Sequence, residues 1–154
     1  MHEAEIRAQK IILFDGVCNL CNGSVRFILK YERDRSFRFA SLQSDVGQEL
    51  LKWCGLPPNY AEAVIYLENG IFHAGSCAAL KIGQRLLFPW SILAFIGLLV
   101  PQFIRDWVYN QIGKHRYQWF GKQDICIVPT EKLKARILMK EKTPCGAEPR
   151  REYC

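Results

Sequence analysis

The sequence predicts an α/β fold. Short apolar runs at Ile11 to Phe14 and Ala63 to Leu67, and an alternating Phe37-Arg38-Phe39-Ala40, have the look of strands. Between and after them, apolar residues recur at helical spacing, and the segments are separated by Asp-Gly, Pro-Pro and Asn-Gly breaks.

Taken in order, Ile11, Ile12, Leu13 and Phe14 form the first strand. After Asp15-Gly16, where the glycine permits a sharp turn, Cys21, Val25, Ile28 and Leu29 fall at i, i+4, i+7 and i+8. That spacing predicts a helix with Cys18 and Cys21 on its opening turn, ending at Tyr31 to Asp34. Phe37 to Ala40 is the second strand. Val46, Leu50 and Leu51 mark a short helix to about Trp53, closed by Gly55 and Pro57-Pro58. The third strand, Ala63 to Leu67, joins Ile71-Phe72-His73 through Glu68-Asn69-Gly70, and Asn-Gly is a strong hairpin signal. Ser76 is placed to cap a helix through Ala79, Leu80, Ile82, Leu86 and Leu87 that stops at Pro89. Strand, helix, strand, helix, strand, strand, helix is the order of a minimal thioredoxin or glutaredoxin core. The expected fold is therefore thioredoxin-like, with a mixed sheet of about four strands.

One departure stands out. Thioredoxin-like proteins generally place a cis-proline just before the third core strand, but here Ala61, Glu62 and Ala63 precede Val64. Pro57 and Pro58 come too early, so recognition of a substrate backbone is expected to differ.

From Leu86 to Ile104 the chain is almost wholly apolar, bracketed by Pro89 and Pro101. The uninterrupted piece, Trp90 to Val100, would rise about 16 Å as a helix, against a hydrocarbon core of about 30 Å. It cannot span a bilayer and is expected as a buried or hairpin helix, with interfacial membrane contact as the other reading. Beyond Pro101, Ile104, Trp107, Val108, Gln111, Ile112, His115 and Trp119 predict a long amphipathic helix ended by Gly121. Ile125 to Val128 is a short extended piece containing Cys126, Thr130 can cap a basic helix to about Lys140, and the residues from Lys142 on have the composition of a frayed tail. At 154 residues one domain is expected: a core at about 10–88, a helical extension at about 89–140 and a tail at about 141–154.

The net charge of +6 is scattered over several segments, and with no nucleic-acid-binding motif it is read as serving solubility. Seven cysteines, an odd count and mostly far apart, argue against a disulfide framework. The N-terminal residues carry Glu3 and Glu5 and no apolar core of a signal, so a reducing cytoplasm is the expected home.

In that setting a C-x-x-C pair is a chemical feature. Two thiols three residues apart in a first helical turn can close a small ring, and the helix N-terminus offers free N–H groups and the positive end of the dipole, which favour a thiolate. Cys18, nearer those groups and expected to be the more exposed, is the candidate nucleophile; Cys21, expected deeper, is the candidate resolving thiol. Asp15 is a candidate catalytic residue, either accepting the proton of the resolving thiol or bonding within the turn. Zinc would need a second ligand pair; His73 and Cys77 match no zinc pattern, so no metal and no cofactor is expected. Cys54 and Cys77 are read as core residues, Cys126 as a core residue or else a third thiol approaching the dithiol, and Cys145 and Cys154 as exposed and incidental.

Asp15-Gly-Val-Cys-Asn-Leu-Cys21, the Phe39-Ala-Ser-Leu-Gln-Ser44 run and the Arg116-Tyr-Gln-Trp-Phe-Gly-Lys122 run with Cys126 shortly after resemble the DCC family of thiol-disulfide oxidoreductases over about Lys10 to Arg136. The resemblance implies a thioredoxin-like fold and disulfide oxidoreductase activity, and it leaves the substrate open. The aromatic-basic run at Arg116 to Lys122 is expected to pack the long helix onto the core, or to bring Arg116 near the dithiol. The function expected is thiol-disulfide exchange with a disulfide-containing protein or a small thiol. The rivals are a non-catalytic module docking a partner or membrane surface through residues 86–104, and a metal-binding protein using Cys18 and Cys21.

Overall fold

The computed structural model describes residues 3–122, 135–137 and 150–151. A short helix, α1 (Glu3–Ala8), leads into β1 (Lys10–Phe14), α2 (Asn19–Tyr31), β2 (Phe37–Ser41) and α3 (Asp45–Trp53). Then come β3 (Ile65–Glu68), β4 (Ile71–Ala74), α4 (Gly75–Gln84), α5 (Trp90–Leu99), α6 (Gln102–Phe120) and a two-residue β5 (Arg150–Arg151).

The sheet runs β2-β1-β3-β4, with β5 added at the β4 edge. β1 pairs parallel with β2, Ile12 opposite Phe39, and antiparallel with β3, Ile12 opposite Tyr66. This is the expected thioredoxin-like α/β core with its mixed four-stranded sheet. The β3–β4 hairpin turns on Asn69 and Gly70, both at positive φ (54° and 76°), as a type I′ turn requires.

Alternation along β1 gives each face of the sheet its own core. Ile11 and Leu13 join Ile6, Val46, Leu50 and Leu67 beneath α1 and α3. Ile12 and Phe14 join Val25, Ile28, Phe39, Tyr66 and Ile82 beneath α2 and α4. Layers of helix, sheet and helix follow from that alternation, and they hold the C-terminal end of β1 and the start of α2 in place between them.

Several expectations are corrected. Ser76 does not cap α4: Ala74 holds the N-cap position and the Ser76 hydroxyl, inside the helix, donates to Asp106 on α6. At residues 135–137 the chain forms a turn and a parallel bridge from Ile137 to Phe39, not a helix. Arg150 and Arg151 pair with Ile71 and Phe72 instead of fraying. The expected extended piece at Ile125 to Val128, with Cys126, and the tail cysteines Cys145 and Cys154 lie outside the described residues.

The largest correction concerns α5 and α6. Only Ser91 and Ala94 of α5 are buried, whereas Phe95 is 58% and Leu99 84% exposed, so the apolar segment is not a core helix. In α6 the apolar stripe predicted from Ile104, Trp107, Val108, Ile112 and Trp119 points outward, and Arg116 is the one buried residue.

Candidate active site

The chain leaves β1 at Phe14 and turns through Asp15, Gly16 and Val17, with the Cys18 N–H donating to the Asp15 carbonyl at 3.3 Å. Cys18 is the N-cap of α2 in extended backbone (φ −87°, ψ 122°), and its carbonyl accepts the Asn22 N–H at 3.0 Å to close the first helical turn. Asn22, itself buried, ties the turn down by donating from Nδ2 to the Gly16 carbonyl at 3.1 Å. The paired cysteines thus sit where the spacing places them, at the opening of a helix that follows a strand.

Their exposure is the reverse of the expected order. Cys18 is completely buried and Cys21 is half-buried. The cause is the chain leaving α6. At Gly121 (φ 82°, ψ 169°), a conformation open to glycine alone, it swings across the start of α2. There Asn19 donates its backbone N–H to the Gly121 carbonyl (3.4 Å) and its Nδ2 to the Phe120 carbonyl (2.8 Å). Cys18 and Lys122 form an antiparallel bridge. Cys21 faces the other way, into an apolar cavity of about 610 Å³ walled by Phe14, Val25, Val64, Ile82, Tyr109 and Phe120.

Beneath the dithiol lies a network that local sequence patterns could not reveal. Asp15 Oδ1 accepts from Gln43 Nε2 (2.8 Å) and from the Val17 N–H (3.1 Å). Asp15 Oδ2 accepts from Arg116 (3.1 Å) and from the Tyr117 hydroxyl. The Arg116 and Asp15 side chains are only 8% and 2% exposed, so this is a buried ion pair between residues 101 apart in sequence. Arg116 also donates to the Ala61 carbonyl. Arg116 both ties the long helix to the core, through Asp15 and Ala61, and lies near enough to Cys21 to act on its charge. Gln43 and Tyr117 complete the site; the signal for them was their place in the two runs shared with the family.

The electrostatics follow from these contacts. Burial pushes the Cys21 thiol up to about 12; its hydrogen bond to Cys18 and that sulfur's charge add to the rise, and Arg116 opposes it. Arg116 itself is raised: burial disfavours its charge, but the surrounding Cys21, Tyr117 and Asp15 outweigh burial. Tyr117 is raised by burial and by its bond to Asp15.

The segment before β3 has no proline, and the cis peptide bond among the described residues is Phe88–Pro89, between α4 and α5. Its backbone groups are engaged by α6: the Val64 N–H donates to the Tyr109 hydroxyl at 3.0 Å and the Ala61 carbonyl accepts from Arg116. Among the described residues no group of three or more His, Cys, Asp or Glu side chains is placed to hold a metal ion. Cys54 is a core thiol, pushed up to about 12 by burial. Cys77 is also buried, but it is disulfide-bonded rather than an inert thiol, and its sulfur lies 3.4 Å from His73 Nδ1.

A thioredoxin-like sheet with a C-x-x-C pair at the start of the helix after β1 defines a class, the thioredoxin-like proteins with a dithiol at a helix N-terminus. Within that class, residues 12–122 match the family described as DCC1-like thiol-disulfide oxidoreductase, and the chain belongs to it. It is 44% identical over 129 residues to the uncharacterized protein YuxK of Bacillus subtilis (strain 168), covering 84% of this chain and 93% of that one. It is 43% identical over 116 residues to the DCC family protein At1g52590, chloroplastic, of Arabidopsis thaliana, covering 75% of this chain and 67% of that one. No solved structure is significantly similar to it.

Proposed function

We propose that the protein exchanges disulfides through Cys18 and Cys21, with Cys18 as the attacking and Cys21 as the resolving thiol. The observation that carries this is the pair's position at the opening of α2, above a buried cation, in a chain of the DCC1-like thiol-disulfide oxidoreductase family.

In the reductive direction the Cys18 thiolate attacks one sulfur of a substrate disulfide. A mixed disulfide forms and the other substrate sulfur leaves as a thiolate that takes up a proton. Cys21 then loses its proton and attacks the Cys18 sulfur, releasing the second substrate thiolate and leaving a Cys18–Cys21 disulfide. Two electrons pass from the dithiol to the substrate; an external thiol returns them.

The two sulfurs' environments support this division of roles. Burial and the charge on Cys18 hold Cys21 protonated in the resting dithiol. In the mixed disulfide the contribution of Cys18 is gone, while burial still raises the Cys21 thiol and Arg116 still lowers it, so Cys21 ionises more readily after attack than before. Asp15 acts here as a positioning residue: both its oxygens are occupied by donors, and through Oδ2 it holds Arg116 beneath the dithiol. Because Cys18 is fully covered, attack requires the 120–122 segment to lift.

The substrate is a disulfide of a protein or a small thiol, and the cytoplasm is the proposed compartment. The test is reduction of a model protein disulfide by the purified chain in the presence of dithiothreitol, together with the pair's reduction potential. Turnover above the uncatalysed rate that vanishes in Cys18→Ser supports the reading; a rate no higher than dithiothreitol alone overturns it.

A further inference from the structure

The helices α5 and α6 are built inside out. Toward the protein α5 turns small residues: a Cβ added at Gly83 on α4 would come within 2.8 Å of Ala94, and one at Gly97 within 2.7 Å of Leu80. Toward the outside it turns Ile92, Leu93, Phe95, Ile96 and Leu99, each about half exposed or more. In α6 the side that meets the protein carries Asp106, Tyr109 and Arg116, bonded to Ser76, Val64 and Asp15. Its outer side carries Phe103 (74% exposed), Trp107 (64%) and Trp119 (61%). So many exposed large apolar side chains on two successive helices go far beyond the scattered apolar residues of an ordinary soluble face.

The charges around that surface say what covers it. Between Asn69 and Lys122 the chain has six basic residues and a single acid, Asp106; Arg116 is buried on Asp15 and Arg85 is paired with Glu68, so Lys81, Lys114 and Lys122 are the cations that border the apolar face. That acid is turned inward, onto the Ser76 hydroxyl. Lys114 follows Trp107 by seven residues, on the same outer face of α6, and is exposed. Apolar and tryptophan side chains bordered by cations, with the acid withdrawn, match the acyl region and anionic headgroups of a bilayer. No single helix is long and apolar enough to cross one: α5, at ten residues, is about 15 Å long, and it meets α6 at a bend of 120°.

We propose that the α5–α6 hairpin docks on an anionic lipid surface, lying in the interface with its outer apolar face among the acyl chains. Phe120 of α6 walls the Cys21 cavity and is itself half exposed, so docking brings that cavity close to the membrane surface.

The test uses the full chain with vesicles of phosphatidylcholine alone and of phosphatidylcholine mixed with phosphatidylglycerol. The chain should float with the mixed vesicles, with a blue shift of tryptophan emission, and bind the neutral ones more weakly. The double variant Leu99→Asp with Phe103→Asp, at fully accessible positions, should lose about tenfold or more in partitioning. Lys81→Glu with Lys114→Glu, which touches no apolar side chain, should lose binding to the mixed vesicles only, and decides the matter if the first variant fails to fold by circular dichroism. No flotation with either vesicle, or flotation unchanged in both variants, overturns the proposal. So does a lipid-free dimer by sedimentation that Leu99→Asp with Phe103→Asp converts to monomer while the wild type binds no vesicle, since the face then belongs to a second copy.

Discussion

Arg116→Met removes the cation beneath the dithiol while keeping most of the side chain's length. It leaves the Asp15 carboxylate, 2% exposed, with three donors: Gln43, the Val17 N–H and Tyr117. Removing one partner of a buried ion pair costs about 3–5 kcal/mol, and the remaining donors place this one near the lower end, about 3 kcal/mol. Asp15→Asn strands a buried guanidinium whose other acceptors are the Ala61 carbonyl and the Tyr117 hydroxyl, for a similar loss. With a urea slope of about 2 kcal/mol per molar, either variant should lower the unfolding midpoint by about 1.5 M. The double variant carries no unpaired buried charge, so it should cost less than the sum of the two by about 2 kcal/mol. Single losses below about 1 kcal/mol, or strict additivity, would show that the pair does not hold α6 onto the β1–α2 turn.

Other expectations follow from the same geometry. Gly121→Val should strain the φ 82° turn and press on Asn19 Nδ2, which a Cβ would approach to 3.0 Å; Cys18 should then be alkylated by iodoacetamide several-fold faster, and an unchanged rate would deny that this segment covers it. Cys54 titrates at about 12 when folded against an ordinary 9.0, so its contribution to stability is complete below pH 9 and is lost as pH rises toward 12, by about 1.4 kcal/mol per unit. Urea midpoints should fall over that range, less steeply in Cys54→Val, and parallel curves would refute the assignment. After Arg116→Met the Cys21 thiol loses the charge that favours its ionised form, so resolution of a preformed mixed disulfide should slow at pH 7 while the first attack on substrate changes less. Stopped-flow rates for the two steps separate these outcomes.

The sheet and the dithiol turn were legible because both are local. Period-two apolar runs, the Asn69-Gly70 turn and the C-x-x-C spacing each report a structure within a few residues of themselves. The Asp15–Arg116 pair was not, because it joins the first βα turn to a helix 101 residues on, and only the fold brings them together. Periodicity found the apolar face of α6 but not its direction; a period gives the existence of a face, and here the buried side is the polar one that bonds Asp15, Val64 and Ser76. Cys18 looked exposed because the residues that bridge to it and to Asn19, Lys122 and Gly121, are remote in sequence.

The division of labour between the two sulfurs is tested most directly by trapping the mixed disulfide. In a chain with Cys54, Cys77, Cys126, Cys145 and Cys154 replaced, Cys21→Ser should accumulate adducts with a disulfide substrate on a non-reducing gel, and mass spectrometry should place every adduct on Cys18. Cys18→Ser should form none. Adducts that accumulate on Cys21 in Cys18→Ser would reverse the roles, and exchange that survives the loss of both cysteines would contradict the dithiol mechanism itself.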